Sequence, residues 1–322
     1  MRFDPAYHLR TNKQVERALF LDLLRRIVPH LGIAPAKYGY VGMGGPYLED
    51  FALVQAVMGC KEMISLEMKD HVVRRQRFNK PHCRVKLKNR TTGWWVEKYK
   101  TGDSPVLAWL DYSTNEWKEQ IGECVDLIPK LPMMSILKVT LTCKAGALGN
   151  AAQQPLAARK EKLKALFPGV GDLTDDDVRN DDFHKTMKRI YVKAVSAVLG
   201  DTKEMTMRPL AAYSYNDGTP ILTVTCIVGP ANRINKVIKD ARLTSWGFAT
   251  LDWNDEPLAV SIPDLGIRER LAIDRCLPDM SAKDIIRKLK LSLAEDPKES
   301  EQVVESYARF ARHTPFFIKV AI

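Results

Sequence analysis

Residues 38–67 read YGYVGMGGPYLEDFALVQAVMGCKEMISLE, and the order of features in this stretch decides the fold. Tyr38-Gly39-Tyr40-Val41 suits a short strand, and Gly42-Met43-Gly44-Gly45-Pro46 suits a turn. A helix is predicted over 47–58, ending near Gly59. Glu62-Met63-Ile64-Ser65-Leu66 is a second strand that stops at Glu67. Strand, glycine turn, helix and strand-end carboxylate is the arrangement that holds a nucleoside cofactor. Glycines let backbone amides approach a ligand, and the carboxylate accepts from both ribose hydroxyls. Glu67 stands 22 residues beyond Gly45, close to the roughly 20 of such sites. A plain reading stands beside this one. Gly42, Gly44 and Gly45 also suit a tight strand-to-helix turn, and Glu67 a solvated strand end.

Outward from this unit the alternation continues. An amphipathic helix over 12–31, capped by Thr11 or Asn12, precedes it, with Val15, Leu19, Leu23, Leu24 and Ile27 at helical spacing. After it come a basic helix over 69–79 and the period-two strand Arg84-Val85-Lys86-Leu87-Lys88. The continuous apolar run Val106–Leu110, ending at Asp111, reads as a strand buried on both faces. A helix over 116–128 and a buried strand from Ser135 to Thr142 follow. Five such alternations predict a doubly wound, mostly parallel α/β sheet. Helices over 152–166 and 182–199 lead to a change of grammar. Met207–Tyr215 and Ile221–Val228 flank Asn216-Asp217-Gly218, a strong hairpin signal because a tight turn needs positive φ. A terminal antiparallel hairpin completes a seven-stranded sheet. Beyond 260, helices are predicted at 266–276, 282–290 and 298–312, punctuated by Pro263, Pro278 and Pro297, before the apolar run Phe316-Phe317-Ile318. The expected organisation is an N-terminal helix over 1–35, an α/β domain over 36–260 and a small helical subdomain over 261–322.

The 322 residues are 45% hydrophobic and 27% charged, which excludes disordered and fibrous classes. No apolar run is long enough for a transmembrane helix, and Met1-Arg2-Phe3-Asp4-Pro5 does not resemble a signal peptide. Six scattered cysteines without a C-x-x-C pair predict a reducing, cytoplasmic setting. The six histidines lack H-x-H or H-x-x-x-H spacing, so no metal site is expected. Asp175-Asp176-Asp177 follows Thr174 and reads as dipole compensation at a helix start. Cys143, after the fifth strand, has no base beside it and reads as a buried thiol.

Asp111-Tyr112 closes the fourth strand, where open α/β sheets place their chemistry. The aspartate suits orienting an acceptor, binding a cofactor amino group, acting as a base or holding a metal, and the tyrosine suits stacking on a planar substrate. Capping of the next helix is the plain alternative for Asp111. The segment Asp-Tyr-Ser-Thr lacks the Asn/Asp-Pro-Pro-Tyr of amino-methylating enzymes, which disfavours methylation of base nitrogens.

Thr11–Leu24 (TNKQVERALFLDLL), Tyr38–Phe51 (YGYVGMGGPYLEDF), the Glu67 strand end, Arg77-Phe78-Asn79-Lys80-Pro81 and Trp109-Leu110-Asp111-Tyr112 occur in one order. Together they resemble the bacterial putative O-methyltransferase family, a branch of the Rossmann-like class I methyltransferases, over most of the chain. The resemblance implies S-adenosylmethionine as cofactor, with Gly42, Gly44 and Gly45 at its turn and Glu67 on its ribose. It places Asp111 beside the reactive methyl group, with an unidentified acceptor. A nicotinamide-dependent oxidoreductase fits poorly, because dinucleotide-binding sheets usually continue in parallel where this chain has its hairpin.

Charge is the remaining feature. Lys and Arg number 49 against 39 Asp and Glu, and the whole excess of +10 lies in residues 1–100. Residues 69–100 alone hold 11 basic residues against Asp70 and Glu97. Lysines 86 and 88 on an edge strand protect it from pairing with another chain, and Lys69, Arg74, Arg75 and Arg77 on the helix before it read as an ordinary solvated face. The alternative is a nucleic-acid or other acidic partner, met by Arg74, Arg75, Lys86 and Lys88 with Trp94 and Trp95 as stacking platforms. A second function class follows, a non-catalytic nucleic-acid-binding or complex-forming protein that keeps the fold.

Overall fold

The computed structural model describes residues 10–149, 155–199 and 205–315. The apolar run 316–318 and the first five residues lie outside the described residues. The described backbone divides into two compact units. One comprises the described residues within 21–214 and 218–258, the other those within 10–20, 215–217 and 259–315.

The strands are β1 (Gly39–Gly42), β2 (Glu62–Leu66), β3 (Val85–Lys88), β4 (Val106–Asp111), β5 (Ser135–Thr142), β6 (Thr206–Asn216), β7 (Pro220–Gly229) and β8 (Leu258–Val260). Their order across the sheet is β3-β2-β1-β4-β5-β7-β6-β8. The first five are parallel, and β7 runs antiparallel to β5. The sheet thus has eight strands where the sequence pattern predicts seven. The additional one, Leu-Ala-Val, is too short to carry a period. The hairpin forms as expected, with Gly218 at a φ of +90°.

All eight residues of β5 are buried, its Ile136, Leu137, Val139 and Leu141 interspersed with the polar Ser135, Lys138, Thr140 and Thr142. One sheet face carries Ala108, Leu110, Leu137, Val139 and Cys226 against α4 (Thr92–Lys98), α5 (Trp117–Leu127) and α7 (Phe183–Leu199). Each large side chain buried there contributes about 1.5–3 kcal/mol. On the other face Tyr40 meets Phe51 of α2 (Glu49–Met58) edge-to-face, ring centroids 4.8 Å apart. The remaining helices of this unit are α3 (Asp70–Asn79), α6 (Leu156–Leu166) and α8 (Ala231–Asp240).

The other unit holds the start of α1 (Thr11–Ile27) and a helical cluster, α9 (Ile267–Asp274), α10 (Ala282–Leu289) and α11 (Pro297–Phe310). Ile273, Ile285, Val304 and Tyr307 form its core. The α-helix α1 stops at Ile27, before the expected residue 31, because Pro29 supports only a 3-10 turn over Val28–His30. Its cap is also not Thr11 or Asn12 alone. Asp217 of the hairpin accepts the Lys13 amide at 2.9 Å and the Asn12 amide group at 3.0 Å. Asn12 in turn accepts the Ile262 amide at 2.8 Å. A carboxylate at a helix N-terminus satisfies orphan donors and the macrodipole together. Asp217→Ala is therefore expected to destabilise this unit by about 1–2 kcal/mol, read as a lower urea midpoint.

Candidate active site

The register brings the predicted residues to one edge. Gly42 pairs with Ser65 on β2 and with Trp109 on β4. Beyond these pairs Glu67 and Asp111 stand at the carboxyl ends of β2 and β4, with Gly44 in the turn that follows β1 between them. Neighbouring strands lie about 4.8 Å apart, so Glu67 and Asp111 flank the glycine turn at a separation of roughly 10 Å. The connections also reverse direction between β1 and β4, which opens a crevice at this switch point.

The three glycines differ in what requires them. Gly45 has a φ of +52°, and a Cβ there would meet nothing within 4 Å, so it borders open space. Gly44 is instead packed from within. A Cβ would lie 2.4 Å from Leu48 Cδ2 and 2.7 Å from Phe51 Cε2. At Gly42 a Cβ would lie 2.7 Å from Tyr40 Oη and 3.3 Å from the Trp109 carbonyl. Gly44→Ala is expected to cost about 1–3 kcal/mol through overpacking, since Phe51 is held against Tyr40. Chemical denaturation measures this directly.

The turn is clasped by α3, which the sequence pattern did not anticipate. Gln76 is fully buried, donates to the Gly45 carbonyl at 2.8 Å and lies 3.2 Å from the Ser65 hydroxyl. Asn79 donates to the Pro46 carbonyl at 3.0 Å. Arg75 donates to Tyr47 Oη at 2.8 Å and lies over its ring at 4.9 Å. The available signal was Gln76 itself, a polar residue on the helix face that buries Val72 and Val73.

Glu67 is half-buried, and one carboxylate oxygen accepts the Lys69 amide at 2.8 Å, at the start of α3. Its other oxygen has no protein partner among the described residues. Asp111 is half-buried at the end of β4. Tyr112 is placed differently. It is buried in the core against α5, where its hydroxyl donates to Glu123 Oε2 at 2.5 Å. Burial holds its phenol well above the usual range. Alternation along β4 puts Leu110 and Tyr112 on one face and Trp109 and Asp111 on the other. The loop after Asp111 is fixed, because the Thr114 carbonyl accepts from Thr142 Oγ1 at 2.7 Å and Gln120 Nε2 at 3.1 Å.

A further charged residue on the Asp111 face escaped notice within its apolar strand. Lys138 of β5 is fully buried, and its Nζ lies 3.5 Å from the centroid of the Trp109 ring. Cys143 is fully buried, and desolvation pushes its thiol far up, which suits packing and not nucleophilic attack. No cluster of metal-ligating side chains occurs among the described residues. None of the helices there is long and apolar enough to cross a membrane. Asp177 does not face a helix start alone. It accepts the Thr174 amide at 2.8 Å and pairs with Arg189, tying the preceding loop to α7. A cavity of about 460 Å³ lined by Arg208, Lys239, Arg242 and Ser245 shares no residue with the strand-end row.

The basic candidates do not form one surface. Arg74 and Arg75 are on α3. Leu87 pairs with Ser65, whose side chain reaches Gln76 of α3, so Lys86 and Lys88 point to the opposite face. Trp94 is partly exposed beside Arg90, whereas Trp95 is buried against Tyr99. Residues 92–98 form the helix α4, with Thr91 capping the Trp94 amide at 3.0 Å.

Comparison with solved structures shows several chains of similar outline. An rRNA methylase from Streptococcus thermophilus is 10% identical, with a TM-score of 0.36, covering 65% of this chain and 93% of the other. A Streptococcus mutans protein in complex with SAH is 10% identical, with a TM-score of 0.36, covering 65% and 96%. A spermidine synthase from Thermotoga maritima is 13% identical, with a TM-score of 0.37, covering 68% and 62%. No curated protein matches the sequence. The sequence model described as "Putative O-methyltransferase" matches residues 5–322, nearly the whole chain. The chain belongs to the putative O-methyltransferase family.

Proposed function

We propose that the protein is an S-adenosylmethionine-dependent methyltransferase whose cofactor lies along the row of Gly44, Glu67 and Asp111. The observation that carries this reading is the register, which sets a glycine turn between two strand-end carboxylates at the switch point of the sheet. The residues fit an adenosyl ligand. Gly45 borders open space at positive φ, and Glu67 keeps one carboxylate oxygen without a protein partner among the described residues. When bound, the cofactor supplies an activated methyl group. Glu67 holds the ribose, the clasped turn presents its backbone, and Asp111 orients the acceptor from a rigid loop. Positioning supplies most of the rate in such a site. Tyr112 supports that loop from within the core. Five of the six cysteines are buried as free thiols, which supports a reducing, cytoplasmic setting.

Calorimetric titration with S-adenosylmethionine tests the reading. Saturable one-site binding is expected, and a folded protein without binding would contradict it. That outcome would favour a non-catalytic nucleic-acid-binding or complex-forming protein, a reading supported by the basic excess in residues 69–100.

A further inference from the structure

We propose that the outward face of α3 is a docking surface for single-stranded nucleic acid, with Phe78 as a stacking platform among Arg74, Arg75, Arg77 and Lys80. Helical spacing sets Arg74 and Phe78 one turn apart at the centre of the exposed face, opposite Val72, Val73 and Gln76. Arg75 and Arg77 flank them. Phe78 is 92% exposed, the highest value among the large apolar side chains of the described residues. An exposed ring of this kind marks an interaction site when its surroundings share one chemistry.

Here the surroundings are cationic and not neutralised. Among the described residues, Lys86 and Lys98 are the only two of the eleven basic residues in 69–100 that pair with a carboxylate, Glu62 and Glu97 respectively. The nearby acids Asp70 and Glu67 accept from the Asn89 side chain and the Lys69 amide, and neither forms an ion pair with an arginine of α3 among the described residues. Edge protection explains lysines on β3, but it does not explain guanidinium groups around a solvent-facing phenylalanine on a helix. Phosphates fit the first and a base fits the second. Arg75 already stacks on the half-exposed Tyr47 of the glycine turn. A strand seated on Phe78 is thereby led toward the row of Gly44, Glu67 and Asp111. Docking itself needs no cofactor and stands apart from the methyl-transfer reading.

Fluorescence anisotropy of the full chain with labelled oligo(U) and oligo(dT) of about 16 nucleotides tests this. Binding is expected at about 50 mM salt, weakening as salt rises, with a log–log slope near −3 for about four phosphates. Arg74→Ala with Arg77→Ala lowers the slope by about 1.4. Phe78→Ala weakens binding by about 5- to 100-fold and leaves the slope unchanged, and Phe78→Trp restores it. Absence of binding at low salt overturns the proposal. So do variants that bind like the parent, loss confined to Lys86→Ala and Lys88→Ala, or equal competition by polyglutamate or anionic phosphatidylglycerol vesicles. A protein that binds S-adenosylmethionine but no oligonucleotide defeats docking alone, and the converse defeats methyl transfer alone.

Discussion

Glu67→Ala is expected to weaken S-adenosylmethionine binding by about 100-fold. An ionised carboxylate facing a vicinal diol accepts two charge-assisted hydrogen bonds, each contributing about 1.5 kcal/mol or more, and both vanish in alanine. Roughly 3 kcal/mol corresponds to that loss of affinity. Alanine also removes the contact to the Lys69 amide, so the start of α3 loosens. Glu67→Gln separates the two effects. It keeps a carbonyl for the Lys69 amide but leaves only a neutral donor for the ribose. Its unfolding midpoint should match the parent while affinity still falls by about tenfold or more. Calorimetry on both variants, with urea denaturation alongside, decides the matter. Parent-like affinity in Glu67→Ala would remove Glu67 from the site.

Asp111→Asn should behave in the opposite way, sparing affinity and removing turnover. The side chain sits at the end of β4 on a loop pinned by Thr142 and Gln120, so its position is set before any ligand arrives. Orientation by such a group contributes through geometry, and a misplacement of about 1 Å costs about 100-fold in rate. Transfer of tritium from S-adenosylmethionine into the RNA, protein and small-molecule fractions of a cell extract gives the readout. Incorporation into one fraction should fall about 100-fold in Asp111→Asn. Affinity for the cofactor should change by less than about tenfold, because Glu67 and the turn remain. Unchanged incorporation would remove Asp111 from the reaction.

Much of this arrangement is legible in the chain itself. Strand, turn, helix and strand over 38–67 follow from spacing alone, because each element has its own period and its own terminator, Gly45 and Gly59 both taking positive φ. The hairpin follows from Asn216-Asp217-Gly218 for the same reason. Harder to read is α4, whose Thr92-Gly93-Trp94-Trp95 start offers poor helix formers and adjacent aromatics. Adjacent helical residues point about 100° apart, so one tryptophan entered the core and the other did not. The helix α8 has a clear signal in Ile234, Val237 and Ile238, yet the antiparallel hairpin before it breaks the β/α rhythm that predicts a helix next.

Site residues divide along similar lines. The strand-end positions of Glu67 and Asp111 are legible in the sequence, since a parallel sheet fixes where those ends meet. Tyr112 illustrates the limit of adjacency, because period two sends neighbours along a strand to opposite faces. Lys86 and Lys88 part from Arg74 for the same reason, one face of β3 turning to α3 and the other away. Gln76 and Lys138 depend on tertiary partners, the Gly45 carbonyl and the Trp109 ring, that no local pattern announces.

A crystal structure with S-adenosylhomocysteine bound tests the placement of the cofactor most directly. Both ribose hydroxyls should lie within hydrogen-bonding distance of the Glu67 carboxylate, with the homocysteine end passing over Gly44 and Gly45 toward Asp111. A ligand seated away from the ends of β1, β2 and β4, or a folded crystal that takes up none at saturating concentration, would contradict it.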